Sequence, residues 1–178
     1  MKKRILAIAG ILTIVAILAV PFASLAATGT TEISGSINAV LQIQAPSAIS
    51  LGTGGVMAAG DNTGTSSDGN VNCNNAAGYT LTVADAMAAI GGHAKDSSIT
   101  GYMWTGNADG KTLKLAGPLQ VAVPSLLPLT AITSQQTAKT TSVPSYNDAF
   151  TLNIKQPVTN TDPAGSYQIT LIFTVTAN

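Results

Sequence analysis

The chain has 178 residues, of which 46% are hydrophobic and only 9% are charged, and its formal net charge at pH 7 is zero. With one cysteine it cannot form an internal disulfide, and with one histidine it is a poor candidate for a zinc site. Length and composition are those of a single globular domain rather than of a disordered or fibrous chain.

The first 27 residues have the three parts of a secretory signal peptide. Met1–Arg4 carries three basic residues, Ile5–Val20 is apolar, and small residues follow Pro21. The apolar run has about 16 residues, which is fewer than the roughly 20 that a membrane-spanning helix needs. The sequence therefore predicts export from the cytoplasm.

The cleavage site is predicted from the small residues that end the leader. Ser24-Leu25-Ala26 fits a small-x-small rule, so we predict a cut after Ala26 or Ala27 and a mature domain over residues 28–178. An uncleaved N-terminal anchor is one alternative. A pilin-like leader cut near Gly10 is another, but its remaining helix would be short.

Cleavage would change the charge of the protein. It would leave five lysines and eight carboxylates, which is a net charge of −3, and no arginine. Nucleic-acid binding needs a basic surface that releases counterions, so nucleic acid is excluded as a partner. No basic amphipathic helix is present to bind an anionic membrane after cleavage.

Apolar and polar residues alternate along most of the mature chain, as in half-buried strands. The first long alternation, Glu32–Ile43, is broken only at Val40 and is followed by Pro46. The last long alternation is Tyr167–Val175. Between them the predicted strands are, in chain order, Ile49–Leu51, Val71–Cys73, Tyr79–Val83, Gly101–Trp104, Lys111–Leu115, Leu119–Val123 and Phe150–Ile154.

Other stretches are predicted to connect these strands. Gly52–Asn70 is rich in turn-forming residues and is predicted to be a loop, and Ser125–Pro144 is predicted to be a loop or an edge region. Ala84–Ala94 contains helix-forming residues and predicts a short helical turn that ends at Gly91-Gly92. Asp109-Gly110 predicts a hairpin, because glycine accepts a positive φ.

The pattern predicts an all-β fold, specifically an antiparallel Ig-like β-sandwich of about eight or nine strands. Aromatic residues make up only 4% of the chain, so the core must consist mainly of aliphatic side chains. Trp104 is predicted to be one large core residue. No tandem repeat is present.

Residues that could support catalysis or metal binding are few. Neither a Gly-x-Ser-x-Gly elbow nor a His-Glu-x-x-His motif occurs, and a Cys73–His93 pair is the one remaining nucleophile–base combination. We predict no enzyme activity and no cofactor.

Asp61–Asn70 offers oxygen ligands for calcium, although a solvated loop accounts for the same residues. Cys73 is interpreted as a buried apolar side chain, with an intermolecular disulfide as the alternative.

Several stretches together resemble the WxL-type surface domain of secreted bacterial proteins. They are Gly35–Leu41 running into Ala45–Gly52, then Gly78–Val83, and finally Gly165–Val175. The two Trp-x-Leu positions of that family correspond to Tyr79-x-Leu81 and Phe173-x-Val175, where neither aromatic residue is tryptophan. The last strand is also similar to those of secreted fimbrial and coat subunits.

The resemblance implies non-covalent attachment to the cell wall and assembly with other surface proteins. We therefore predict a secreted, non-catalytic structural or adhesive protein of the cell surface that self-assembles through edge strands. Its partners would be other surface proteins or copies of itself. The alternative is a module that binds cell-wall polysaccharide or another carbohydrate through exposed aromatic residues. Its candidates are Tyr102, Trp104 and Tyr146.

Overall fold

The computed structural model of this protein describes residue 32 and residues 34–106, 112–123 and 127–178. In these ranges the chain forms ten strands and one 3-10 turn, Ser97–Ile99. The strands are β1 Leu41–Gln44, β2 Gly60–Cys73, β3 Tyr79–Asp85, β4 Trp104–Gly106, β5 Thr112–Lys114, β6 Gln120–Val123, β7 Leu127–Ala131, β8 Gln136–Thr140, β9 Ser145–Val158 and β10 Leu171–Ala177. The predicted signal peptide lies outside the described residues.

All the described strand pairs are antiparallel, and they form three sheets. The larger sheet has the order β1-β2-β9-β6-β7, the smaller sheet has the order β10-β3-β8, and β4 pairs with β5. All of them belong to the compact unit Asn38–Asn178. No helix among the described residues is long and apolar enough to cross a membrane.

The core lies between the two larger sheets, because each contributes one apolar face. On β3 the side chains of Tyr79, Leu81 and Val83 are fully buried. On β9 the side chains of Phe150 and Leu152 are buried, and the one residue between them is polar. Each fully buried aliphatic or aromatic side chain contributes about 1.5–3 kcal/mol relative to an exposed one. The prediction of an all-β, antiparallel, sandwich-like fold is confirmed.

The predicted hairpin around Asp109-Gly110 has the expected strand pairing. Trp104 is opposite Lys114, and Gly106 is opposite Thr112. The turn between them lies outside the described residues. The prediction that Trp104 belongs to the core is also confirmed, since it is 1% exposed.

The prediction of a loop over Gly52–Asn70 is wrong for its second half. Residues from Gly60 onward form β2, which has 14 residues and pairs with β9. The glycines Gly64 and Gly69 of β2 leave space for neighbouring side chains and do not form turns. A Cβ on Gly64 would lie 2.3 Å from Ile49 Cγ2, and one on Gly69 would lie 2.6 Å from the Phe150 ring. The composition resembles that of a loop because close packing and turns both select glycine.

The predicted helical turn over Ala84–Ala94 is not formed. Strand β3 continues to Asp85, and a tight turn follows that is closed by backbone hydrogen bonds between Ile90 and His93, 2.9 and 3.0 Å long. The region predicted as a loop or edge, Ser125–Pro144, contains β7 and β8. Each is the end strand of its sheet, so the edge interpretation is confirmed.

The two long alternations form shorter strands than predicted. Only Leu41–Ile43 of the first is paired, as part of β1, and residues 34–40 have no regular secondary structure. The final strand begins at Leu171 rather than at Tyr167. Alternation marks a residue as compatible with a strand, but a partner is needed to form one.

Candidate assembly surface

The outer edge of β10 has no paired strand in the described part of the chain. The hydrogen bond from Ala86 N to Thr170 O, 2.8 Å long, fixes the phase of the pairing with β3. Because bonded and non-bonded residues alternate in antiparallel pairs, the even-numbered residues of β10 bond β3. The backbone N–H and C=O groups that point away from β3 belong to the odd-numbered residues Leu171, Phe173, Val175 and Ala177.

An apolar groove of about 480 Å³ lies next to this edge. Its two sides are Ala45–Leu51 and Tyr167–Leu171, and its apolar lining includes Ile49, Leu152 and Phe173. Strand β1, the end strand of the larger sheet, contacts β10. The outer edges of β1 and β10 therefore lie on the same side of the sandwich, and the groove lies beside them.

The loop before β10 is fixed by Asp162. Its carboxylate accepts hydrogen bonds from Thr159 N and Ala116 N, both 2.7 Å long. Partial burial raises the pKa of Asp162, but these hydrogen bonds outweigh it and leave the pKa below its ordinary value. Burial and the nearby Asp162 charge raise the pKa of Tyr167, whose hydroxyl donates to Pro163 O at 2.8 Å. This network holds one side of the groove.

Replacing Asp162 with asparagine is expected to lower the thermal unfolding midpoint at pH 7, by an amount that shrinks as the pH falls below about 3.9. Because the folded-state pKa is depressed, the stabilisation by the carboxylate is fully present above the unfolded-state value of about 3.9. It is lost as the pH falls through the lower folded-state pKa. Calorimetry of both proteins from pH 2 to 7 measures this. A difference that stays constant with pH would contradict a charge effect.

A buried ion pair fixes the segment between β3 and β4. Lys95 Nζ donates to Asp85 Oδ2, and both side chains are 1% exposed. Asp85 also accepts hydrogen bonds from Gly101 N at 2.7 Å and from Met87 N at 2.9 Å, while Lys95 donates to Tyr102 O at 2.9 Å. Sequence patterns do not reveal this pair, because nothing local indicates that either charge is buried.

A second polar cluster joins β3, β8 and β9. The Tyr79 hydroxyl donates to Asp148 Oδ2 at 2.8 Å, and Lys139 Nζ donates to the other oxygen of the same carboxylate. Burial, and then the bond to Asp148, raises the pKa of Tyr79 well above its ordinary value. Tyr79, which the resemblance compares with the first Trp-x-Leu position, is a core residue in this structure.

The two carboxylates of Asp61–Asn70, which the sequence offers as possible calcium ligands, are not brought together. Asp61 and Asp68 are seven positions apart in β2, which separates them by about 23 Å in an extended strand. Asp61 pairs with Lys155 at 3.2 Å. Asp68 accepts hydrogen bonds from the Ser47 and Ser66 hydroxyls and from Ser47 N, and these bonds hold its pKa far below the ordinary range. Two distant, already bonded carboxylates cannot surround one ion.

The single cysteine and histidine form no site in the structure. Cys73 is 3% exposed, and its Sγ lies 3.5 Å from Gly78 O, which confirms that it is buried. His93 lies in the turn after β3. Among the described residues, no group of three His, Cys, Asp or Glu side chains is arranged to hold a metal ion.

The three aromatic candidates for carbohydrate binding have different environments. Trp104 is buried, and the ring of Tyr102 is covered by Lys114 Nζ at 3.9 Å from its centroid. Tyr146 is 90% exposed. Only Tyr146 offers an open aromatic face.

No family model and no curated protein sequence matches this chain. The resemblance to WxL-type surface domains therefore stays a prediction.

Proposed function

We propose that this protein is a secreted, non-catalytic structural component of the cell surface whose copies join by strand addition. A segment of one copy would extend the smaller sheet of the next at the outer edge of β10. Backbone hydrogen bonds would then satisfy the outward groups of β10, and apolar side chains would enter the groove beside it. The strongest support is that β10 is an end strand without the features that normally prevent pairing with another chain.

End strands normally carry features that prevent pairing with other chains, such as proline, lysine or short length. The described end strands follow this rule with one exception. Strand β7 contains Pro128, β8 contains Lys139, and β1 has only four residues. Strand β10 has seven residues, no proline and no charge. An edge of this kind is a template for another strand.

The segment that we propose as the incoming strand is Ser34–Val40 of a second copy. It has no regular secondary structure, its residues are exposed, and Ile37 is 91% exposed. Its alternation of Gly35, Ile37 and Ala39 with polar residues suits a strand that faces an apolar groove on one side. Ile37 is its largest apolar side chain.

Export and processing belong to the same proposal. Removal of residues 1–27 would place the Ser34–Val40 segment close to the new N-terminus. It would extend toward a neighbour once Asn38 and Val40 release their hydrogen bonds to Asn74. We also propose that the sandwich is Ig-like and that the assembled protein attaches non-covalently to the cell wall. The last point derives from the WxL resemblance and is independent of the strand-addition argument.

Replacing Ile37 with aspartate is expected to abolish assembly of the mature protein without changing its unfolding midpoint. The side chain is exposed in the single copy, but it would be buried in the groove of a neighbour, where an unpaired carboxylate is strongly disfavoured. Sedimentation velocity over a range of protein concentrations measures the assembly. Electron microscopy shows whether filaments form.

The matched control is Val143→Asp. Val143 is 59% exposed and lies in the β8–β9 connection, and β3 separates β8 from β10 in the smaller sheet, so this variant should assemble like the wild type. A wild-type protein that stays monomeric at all concentrations would refute the proposal. Equal loss of assembly in both variants would point to a general charge effect instead.

A further inference from the structure

Tyr146 is presented to solvent by a β-bulge in the larger sheet. Strand β2 pairs Cys73 with Ser145 and Val71 with Asp148, so one residue of β2 lies opposite two residues of β9. The second of these two, Asn147, has a φ of +55°, which is unusual for a residue other than glycine. Bulges of this kind redirect a side chain and often occur at functional positions.

Two asparagine side chains of β2 hold the bulge in place. Asn72 Oδ1 accepts a hydrogen bond from Asn147 N, and Asn70 Nδ2 donates to Asn147 Oδ1, both at 2.7 Å. These bonds stabilise a backbone conformation that is strained by itself. The exposed ring of Tyr146 therefore projects from a fixed backbone rather than from a free loop, which lowers the entropy cost of binding a ligand.

The face around the bulge is rich in amide side chains. Gln42 of β1 is directly opposite Asn72, and Gln44 is opposite Asn70. Residues opposite each other in an antiparallel pair share a face, and the intervening Val71 points into the core. We call this surface the amide face. It consists of Gln42, Gln44, Asn70, Asn72 and Tyr146.

We propose that the amide face binds a neutral carbohydrate, with a pyranose ring stacked on Tyr146. An aromatic ring offers an apolar surface for the C–H groups of the sugar, and amides both donate and accept hydrogen bonds as hydroxyl groups do. None of the five side chains of the amide face is charged. The one carboxylate beside them, that of Asp68 next to Gln44, is already hydrogen-bonded to Ser47 and Ser66, so a neutral ligand fits this face better than a charged one.

The amide face and the assembly edge are separate surfaces. The amide face belongs to the larger sheet, whereas strand addition is proposed for β10 of the smaller sheet. Carbohydrate binding therefore does not depend on the proposed function. An Ile37→Asp protein that fails to assemble should still bind carbohydrate.

Affinity electrophoresis of the mature chain in gels that contain neutral soluble polysaccharides tests this proposal. A suitable panel is a mixed-linkage β-glucan, a glucomannan, a galactomannan and a dextran, with a gel lacking polysaccharide as the reference. We expect at least one of these polymers to retard the wild type. Tyr146→Ala should weaken the binding by about tenfold or more, the effect of losing one aromatic contact. Tyr146→Phe should retain it.

Gln42→Leu is the second variant, since Gln42 is exposed and can lose its amide without disturbing the core. It should also weaken retardation while leaving the unfolding midpoint unchanged. No retardation of the wild type by any polymer of the panel would overturn the proposal, as would equal retardation of the wild type and Tyr146→Ala. Cell-wall fragments test the other class of partner. If the protein bound only such fragments, and lost this binding once protease had removed their proteins, Tyr146 would contact a protein partner and the carbohydrate proposal would be overturned.

Discussion

Replacement of Lys95 by alanine is expected to lower the free energy of unfolding by about 3–5 kcal/mol, the usual cost of breaking a buried ion pair. Both side chains of the Lys95–Asp85 pair are 1% exposed. Without Lys95, a carboxylate would remain in a site that water does not reach, and Tyr102 O would lose its donor. The segment between β3 and β4 would lose its attachment to the end of β3.

Urea unfolding at pH 7 measures this loss, and Lys155→Ala is the matched control. Lys155 also pairs with an aspartate, at 3.2 Å, but the two side chains are 26% and 57% exposed. Exposed pairs contribute about 0–1 kcal/mol because water and salt screen them. Similar losses in the two variants would show that the Lys95–Asp85 pair is not buried in solution.

Replacement of Trp104 by alanine is expected to cost about 3–5 kcal/mol, as for other large aromatic residues in cores. Trp104 is the largest of the fully buried side chains. Its backbone also exchanges two hydrogen bonds with Gln168, 3.0 and 3.1 Å long, which connect β4 to the segment that leads into β10. The cavity left by the Trp104 side chain would loosen this connection, and with it the Tyr167–Leu171 side of the apolar groove.

Thermal unfolding monitored by circular dichroism provides the measurement, and Tyr146→Ala is the control. Both variants remove an aromatic side chain, but Tyr146 is 90% exposed, so its loss should change stability by less than about 0.5 kcal/mol. If both variants unfolded at the wild-type temperature, Trp104 could not be packed as described. Comparable destabilisation in both would show that Tyr146 packs against a neighbour.

Strands whose burial pattern is local could be predicted from the sequence. Tyr79–Val83 and Phe150–Ile154 alternate strictly, and both are central strands with one face in the core. Of the strand Gly60–Cys73, the sequence predicts only Val71–Cys73, because the glycines and hydroxyl residues of Gly60–Asn70 resemble a loop. It is a strand because β9 lies beside it, and the sequence of Gly60–Cys73 alone does not contain that partner.

For the candidate surfaces too, local patterns could be predicted from the sequence, whereas features that depend on distant parts of the chain could not. The sequence predicts assembly through edge strands, but only the register shows which backbone groups of β10 point outward. The Asp85–Lys95 pair could not be predicted, because burial of a charge depends on how the chain returns to it. Tyr146 was one of three aromatic candidates until its exposure distinguished it.

The order of the strands has a consequence for when the chain can fold. In each of the two larger sheets an early strand pairs with a late one: β2 with β9, and β3 with β10. The hydrogen bond between Thr65 and Asn153 joins residues 88 positions apart. Pairing at such distances is slow and waits for the late partner to be synthesised. A growing chain that ends before Ser145 lacks both pairs, so neither of the two larger sheets can be completed until most of the chain has been synthesised.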